Sequence, residues 1–489
     1  MITDEEKIIV ESIWKSFFEA GYTDNLSIIE QSVYLIILYL LDEEEFNLEQ
    51  IEKMSGEKQV HIFSPEQQKY RWHIFKDFEE IELFNLIKDH VFLFVKSINH
   101  EDVLPFSNLF QNASLTIPKA NFLKDIIVKF NQLFTNLGAD FQNGIGEIYN
   151  IFLSKIKSSS DVGLYRTPKH ICDLMVSLIE PQTKSTICDP ACGTGGFLVS
   201  SAEYIRNNYE SSMNEVDWNH FSHGLLTGFD NSDKMIVISS MNLILHSIQT
   251  PNIVYQDSVS KTNTHESDFD IVFSNPPFKG NVNNATLSES IKNECNGKKP
   301  YQLFLTLFIR MLKKGGRCAC LVPDGLLFGQ KGADKELRKK LIEEHQLNAV
   351  IHLPKETSGS GTSTAILIFT KTGAGGTDKV WFYDIENDGY SLDDKRIPIE
   401  ENDIPDVIQR FKNLCKEDSR TREEKSFFVP ISEIIANNYD LSINKYKKIK
   451  YEKIEYPSSE KIMSEIRTLY SKIGNDLDKI DKVIKKITK

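Results

Sequence analysis

From about residue 161 to residue 372, short β-rich runs alternate with helical segments, and this alternation restricts the possible folds more than any other property of the chain. The β-rich runs are STICDP, GLLTGFD, NIVYQD, FDIVFSNPP, RCACLVPDG, NAVIHLP and TAILIFT. Between them stand FLVSSAEYIRNNY, MIVISSMNLILHSI and YQLFLTLFIRMLKKGG, which read as helices. Strands separated by helices imply an α/β fold, a parallel sheet wound on both faces. Ligands of such sheets bind outside the carboxyl ends of the strands, so chemistry is expected there.

Four strand ends carry the candidate residues. The first run ends in Asp189-Pro190-Ala191-Cys192-Gly193-Thr194-Gly195-Gly196-Phe197, where a strand gives way to a helix. Glycines there let the backbone turn tightly and come close to a ligand, and the following helix offers unpaired N–H groups. An ordinary tight turn has the same glycines, but the leading acid points to a ligand with a positive group. The second run ends in Asp230, suited to a ribose diol, and the third reaches Asp257, suited to an adenine amino group. The fourth ends in Asn275-Pro276-Pro277-Phe278. Prolines fix φ and donate nothing, so the Pro276 carbonyl and the Asn275 side-chain oxygen stand as two rigid acceptors for one amino group. Accepting both N–H bonds of an arylamine draws its nitrogen toward tetrahedral geometry and frees the lone pair for attack on a methyl sulfonium. Phe278 supplies a face on which a planar base stacks.

The rest of the chain divides by texture. Residues 1–145 read as a helical domain, 146–372 as the catalytic domain, 373–456 as a mixed appendage, and 457–489 as a C-terminal helix. In that last helix Ile462, Ile466, Leu469, Ile473, Leu477, Ile480, Ile484 and Ile487 recur at steps of three and four, with a stutter near Gly474, as in a coiled-coil seam. Folding back on its own domain is the rival reading of this stripe. The longest apolar run, Val33 to Leu41, is too short to cross a bilayer, and MITDEEKIIVES is not a signal peptide, so a cytoplasmic protein with no membrane segment is expected. The seven cysteines form no zinc spacing, and no metal site is expected. The net charge of −13 is unusual for a stand-alone DNA reader, whose affinity comes largely from phosphate neutralisation. Lys298, Lys299, Lys313, Lys314 and Arg317 cluster in sequence near the fourth strand, as a phosphate contact or as a solvated face.

The glycine turn and the Asn-Pro-Pro-Phe tetrapeptide resemble those of the N6-adenine and N4-cytosine DNA methyltransferases. With Gly163-Leu164-Tyr165-Arg166-Thr167-Pro168-Lys169-His170 ahead of them, the order resembles the gamma class of adenine enzymes. More closely the chain resembles the modification subunit of type I restriction–modification systems, through YRTPKHICDLMVSLIEP, MNLILH, LKKGGRCACLVPDGLLF, WFYDIENDGYSLDDKR and NNYDLSINKY. The loop KETSGSGTST lacks the Phe-containing stretch of many relatives. The resemblance implies a Rossmann-like S-adenosylmethionine-dependent methyltransferase sheet with an N-terminal helical domain and a C-terminal helical tail. It implies S-adenosylmethionine as cofactor, its methionine part held by Leu164, Tyr165, Arg166, Thr167, Pro168, Lys169 and by Asp189, Ala191, Cys192, Gly193, Thr194, Gly195, Gly196 and Phe197. Asp230 would hold the ribose, Asp257 the adenine, and Asn275, Pro276, Pro277 and Phe278 the target base in duplex DNA. The implied partners are a specificity subunit that reads sequence, a second copy of this chain, and a restriction subunit with nuclease and translocase activity. A base inside a duplex must be flipped out to be methylated. Protein glutamine methyltransferases use a similar tetrapeptide, but they resemble neither end of this chain, and the motif alone admits cytosine as well as adenine.

Overall fold

The computed structural model describes residues 2–98, 113–138, 141–156, 166–280, 282, 285–330, 332–358, 362–393, 395–448 and 458–487. The chain divides into two units, Met1–Tyr446 and Lys447–Lys489.

The strands of the first unit are β1 (Ile187–Asp189), β2 (Leu226–Asp230), β3 (Asn252–Tyr255), β4 (Phe269–Ser274), β5 (Leu312–Pro323), β6 (Gln346–His352), β7 (Thr364–Thr370), β8 (Lys379–Asp384), β9 (Asp388–Tyr390), β10 (Pro398–Asn402) and β11 (Ser426–Pro430). Nine of them form one sheet in the order β11-β8-β6-β7-β5-β4-β1-β2-β3, while β9 and β10 pair separately. The sheet is mixed rather than wholly parallel. β7 runs antiparallel to both β5 and β6, and β11 is antiparallel to β8. The reason lies in the connections: residues 353–363 between β6 and β7 are too short a link for a helical crossover, so the chain must turn back. Strand order reverses at the adjacent pair β1 and β4, the switch point at whose carboxyl ends such sheets bind ligands.

The side chains of β4 divide between two cores, with a register shift between Phe269 and Ile271. Phe269 and Val272 join one core with the helix Pro300–Met311, whereas Ile271 and Phe273 join the other with the helices Lys169–Ile179 and Gly196–Tyr209. Each fully buried Leu, Ile or Phe in these layers contributes about 1.5–3 kcal/mol.

The N-terminal helices Asp4–Glu19, Asn25–Ser55, Ala120–Leu137 and Phe141–Ser154 share a third core, which takes in Met235, Val237, Ile238 and Met241 of the helix Asp233–Leu245. The Tyr149 hydroxyl donates to the Ile238 carbonyl across this contact (2.8 Å). Asp24 caps Asn25–Ser55, accepting from the Leu26 amide (3.1 Å), and Gly56 ends it in a left-handed turn. That helix is long and apolar enough to cross a membrane by composition, but Val33 to Leu38 are buried in the bundle. The expected boundary at residue 372 falls between β7 and β8, strands of the same sheet; the apolar run Val380–Tyr383 is buried as β8 beside β6.

The second unit holds the helix Ser459–Ile487. Ile462, Ile466, Leu469, Ile473, Leu477 and Ile480 are exposed along it. Pro457 lies outside the described residues, as do the side chains of Ile484 and Ile487.

Candidate active site

Asp189, Asp230 and Asn275 stand at the carboxyl ends of β1, β2 and β4, on one rim of the sheet. Asp189 is 1% exposed; its Oδ1 accepts from the Ala191 amide and from the Ser274 hydroxyl, both at 3.0 Å. It thus ties the glycine turn to the residue before Asn275. Burial pushes its carboxyl up to about 7. Asp230 accepts from the Gly193 amide (3.1 Å) and the Ser232 amide (2.9 Å), and burial pushes it up to about 6.

Within the turn, the side-chain position of Gly193 faces open space, while Cys192 and Thr194 are buried. Gly193 (φ 52°) and Gly195 (φ 76°) both adopt left-handed conformations. A Cβ on Gly193 would meet no protein atom within 4 Å, whereas one on Gly195 would stand 3.4 Å from Ser239. The Cys192 thiol is buried, with its amide donating to the Phe229 carbonyl (3.0 Å). Thr194 presents its carbonyl to Asn242 (2.8 Å). Gly196 opens the helix Gly196–Tyr209, and Phe197 stacks on Phe273 in the core at 5.9 Å. Ala191 is half-buried, and Asp257 is exposed just beyond β3.

Of the segment before β1, Leu164 and Tyr165 lie outside the described residues. The Arg166 guanidinium donates to Asn150 (3.3 Å), and burial lowers its pKa. Lys169 pairs with Asp173 (2.9 Å) and Glu203 (2.8 Å), so its charge is met by protein carboxylates. Thr167 is the link that spacing did not disclose: its hydroxyl accepts from the Asn275 side-chain amide at 3.0 Å. That bond fixes the amide and leaves Asn275 Oδ1 as the outward acceptor. Beside it lies a concavity lined by Pro168, Ile171, Asn275, Phe278, Leu321, Leu353, Thr357 and Thr364. Pro276 is buried and Pro277 exposed.

The basic cluster reads differently in three dimensions. Lys313, Lys314 and Arg317 sit at the amino end of β5, opposite the rim that carries Asn275. Lys313 is bound to Asp270 (2.9 Å), and Arg317 donates to the Ile179 carbonyl. Among the described residues no His, Cys, Asp and Glu group has metal-site geometry.

Sheet order, reversed β7, glycine turn and Asn-Pro-Pro-Phe corner define a Rossmann-like methyltransferase. The N-6 DNA Methylase family profile matches residues 141–455, and the chain belongs to that family. It is 27% identical to the EcoEI type I restriction enzyme methylase subunit of Escherichia coli, over 93% of this chain and 92% of that one. It is 26% identical to the EcoKI methylase subunit of Escherichia coli K12, over 84% and 80%. A solved chain from a study of type I restriction–modification complex assembly and conformational transition superposes with a TM-score of 0.69 at 22% identity, over 98% of this chain and 99% of that one. The type I methyltransferase subunit from Streptococcus thermophilus gives 0.64 at 18%, over 91% and 100%.

Proposed function

We propose that this chain is the catalytic modification subunit of a type I restriction–modification complex, acting in the cytoplasm. It transfers a methyl group from S-adenosylmethionine to N6 of an adenine flipped out of duplex DNA, at a sequence chosen by a specificity subunit. The observation that carries this reading is Asn275: its amide nitrogen is engaged by Thr167, so its oxygen is the group offered to an incoming amine.

The cofactor fits the residues present. A Cβ at Gly193 would meet no protein atom within 4 Å, and burial holds the Asp189 and Asp230 carboxyls above their ordinary range, where a positive ligand group would favour their ionised forms. The turn Ala191–Gly196 and the helix N-terminus behind it would hold the amino-acid part, Asp230 the ribose and Asp257 the adenine ring, with Arg166 to Lys169 closing the side. When bound, S-adenosylmethionine supplies a methyl on a positively charged sulfur. Asn275 Oδ1 and the Pro276 carbonyl accept the two N–H bonds of the target amine, and Phe278 stacks on the base. Base flipping costs a few kcal/mol, which stacking and these hydrogen bonds offset.

The stripe on the helix Ser459–Ile487 supports a seam with helices of a partner, the specificity subunit or a second copy of this chain.

The test is to co-express the chain with its specificity subunit and map modified bases in host DNA. N6-methyladenine at one defined sequence is expected, and Asn275→Ala should abolish it while cofactor binding stays within a few-fold. Methyl transfer to a protein glutamine instead of DNA would overturn the reading.

A further inference from the structure

One oxygen of Asp388, at the start of β9, gathers three donors from distant parts of the chain. Its Oδ2 accepts from the Thr357 hydroxyl (2.6 Å), lies 3.2 Å from His170 Nε2, and takes an ion pair from the Arg396 guanidinium. The side chain is wholly buried, and its Oδ1 has no partner among the described residues. Burial alone would raise this carboxyl, yet the bonds from His170, Thr357 and Arg396 outweigh it and hold the group at about 2, so it is ionised at neutral pH. The His170 ring packs on Tyr390 at 4.6 Å, and Arg396 lies over the same ring.

Two of these partners belong to walls of the concavity beside Asn275. Thr357 lines it from the turn Lys355–Ser358. His170 sits between Pro168 and Ile171, which line it from the start of the helix Lys169–Ile179. Thr167, three residues before His170, orients the Asn275 amide. One wall is the short turn Lys355–Ser358 and the other is the first turn of the helix Lys169–Ile179, so the Asp388 oxygen that binds both links a loop to a helix packed in the core. Behind them is the hairpin of β9 and β10.

We infer that Asp388 is a positioning residue for base capture: through Thr357 and His170 it fixes the two walls that receive the flipped base, and the β9–β10 hairpin serves as their brace. This rests on the function proposed above. A loosened wall leaves the glycine turn untouched, so target-base binding is lost while cofactor binding is kept.

The experiment uses the full chain assembled with its specificity subunit and two duplexes of the mapped target: one carries the target adenine and reads turnover, and the other carries 2-aminopurine in its place, which lacks the 6-amino group and reads base flipping alone. Asp388→Asn should lower the fluorescence gain of the flipped base and reduce kcat/KM for DNA tenfold or more, with cofactor affinity within twofold of wild type. Thr357→Val, which keeps the shape and loses the donated bond, should reproduce the loss; Thr357→Ser, which keeps the hydroxyl, should restore base capture. These two variants carry the test if Asp388→Asn does not fold. Arg396→Met, which removes contacts within the hairpin only, should cost less than Asp388→Asn. Wild-type base capture in Asp388→Asn, or in Thr357→Val, overturns the inference alone. An inactive wild-type complex overturns the proposed function, and the inference with it.

Discussion

Asp189 serves both halves of the site, since one of its oxygens orders the glycine turn through Ala191 and the strand end through Ser274. Its carboxyl is raised to about 7 and that of Asp230 to about 6, both by burial. A carboxyl raised in the folded state holds its proton better there than in the unfolded chain. Its contribution to stability is therefore greatest below the unfolded value near 4 and declines as pH rises toward about 7. A positively charged ligand selects the ionised form and reverses that penalty. Cofactor affinity should accordingly weaken as pH falls from about 8 to about 5.5, with protons released on binding at the lower pH. Calorimetry in two buffers of different ionisation enthalpy measures this; a flat profile with no proton release would show that neither carboxylate senses the ligand. Phe278 is tested by size and flatness. Phe278→Ala should cost ~1–3 kcal/mol in base capture, while Phe278→Tyr should keep it, read from KM for DNA. Equal activity of the Ala and Tyr variants would remove stacking from its role.

The glycine turn separates ligand space from protein space within three residues. Gly193→Ala adds a methyl that meets no protein atom, so its folding cost is that of a left-handed backbone, about 1 kcal/mol. Its larger effect should be on the cofactor, with affinity down tenfold or more by calorimetry. Gly195→Val must also press on Ser239, so it should lower the unfolding midpoint as well. Unchanged cofactor affinity in Gly193→Ala would place the ligand elsewhere. The turn was readable because glycines, an acid and a following helix are contiguous in the sequence, and so was Asn275-Pro276-Pro277-Phe278. The direction of β7 was not, because the apolar run TAILIFT looks the same whichever way it enters the sheet; only the short link from β6 turns it round. The lysines near residue 313 were placed by sequence proximity, and a long β5 carries them to the other end of the sheet. Asp388 left no local mark at all: Asp-Gly reads as a turn, and its partners at 170, 357 and 396 have no spacing rule in common.

The chain carries a net charge of −13, so its own surface repels a polyanion on average, and on the function proposed above the specificity subunit would supply much of the grip. Deleting residues 460–489 should cost assembly with the specificity subunit and sequence-specific methylation, while cofactor affinity is retained; co-purification tests this. Normal stoichiometry with the truncated chain would assign the stripe from Ile462 to Ile480 another role. The position of β7 between β5 and β6 also has a consequence during synthesis. When β6 leaves the ribosome, the place beside β5 belongs to a strand not yet made. Until residue 370 clears the tunnel, the apolar edge of Cys318–Val322 stands open, a template for any passing chain. In the finished sheet β7 pairs with both β5 and β6 and closes that edge. A nascent chain stalled before that point is where a chaperone should be found bound, and one stalled after it should have let go.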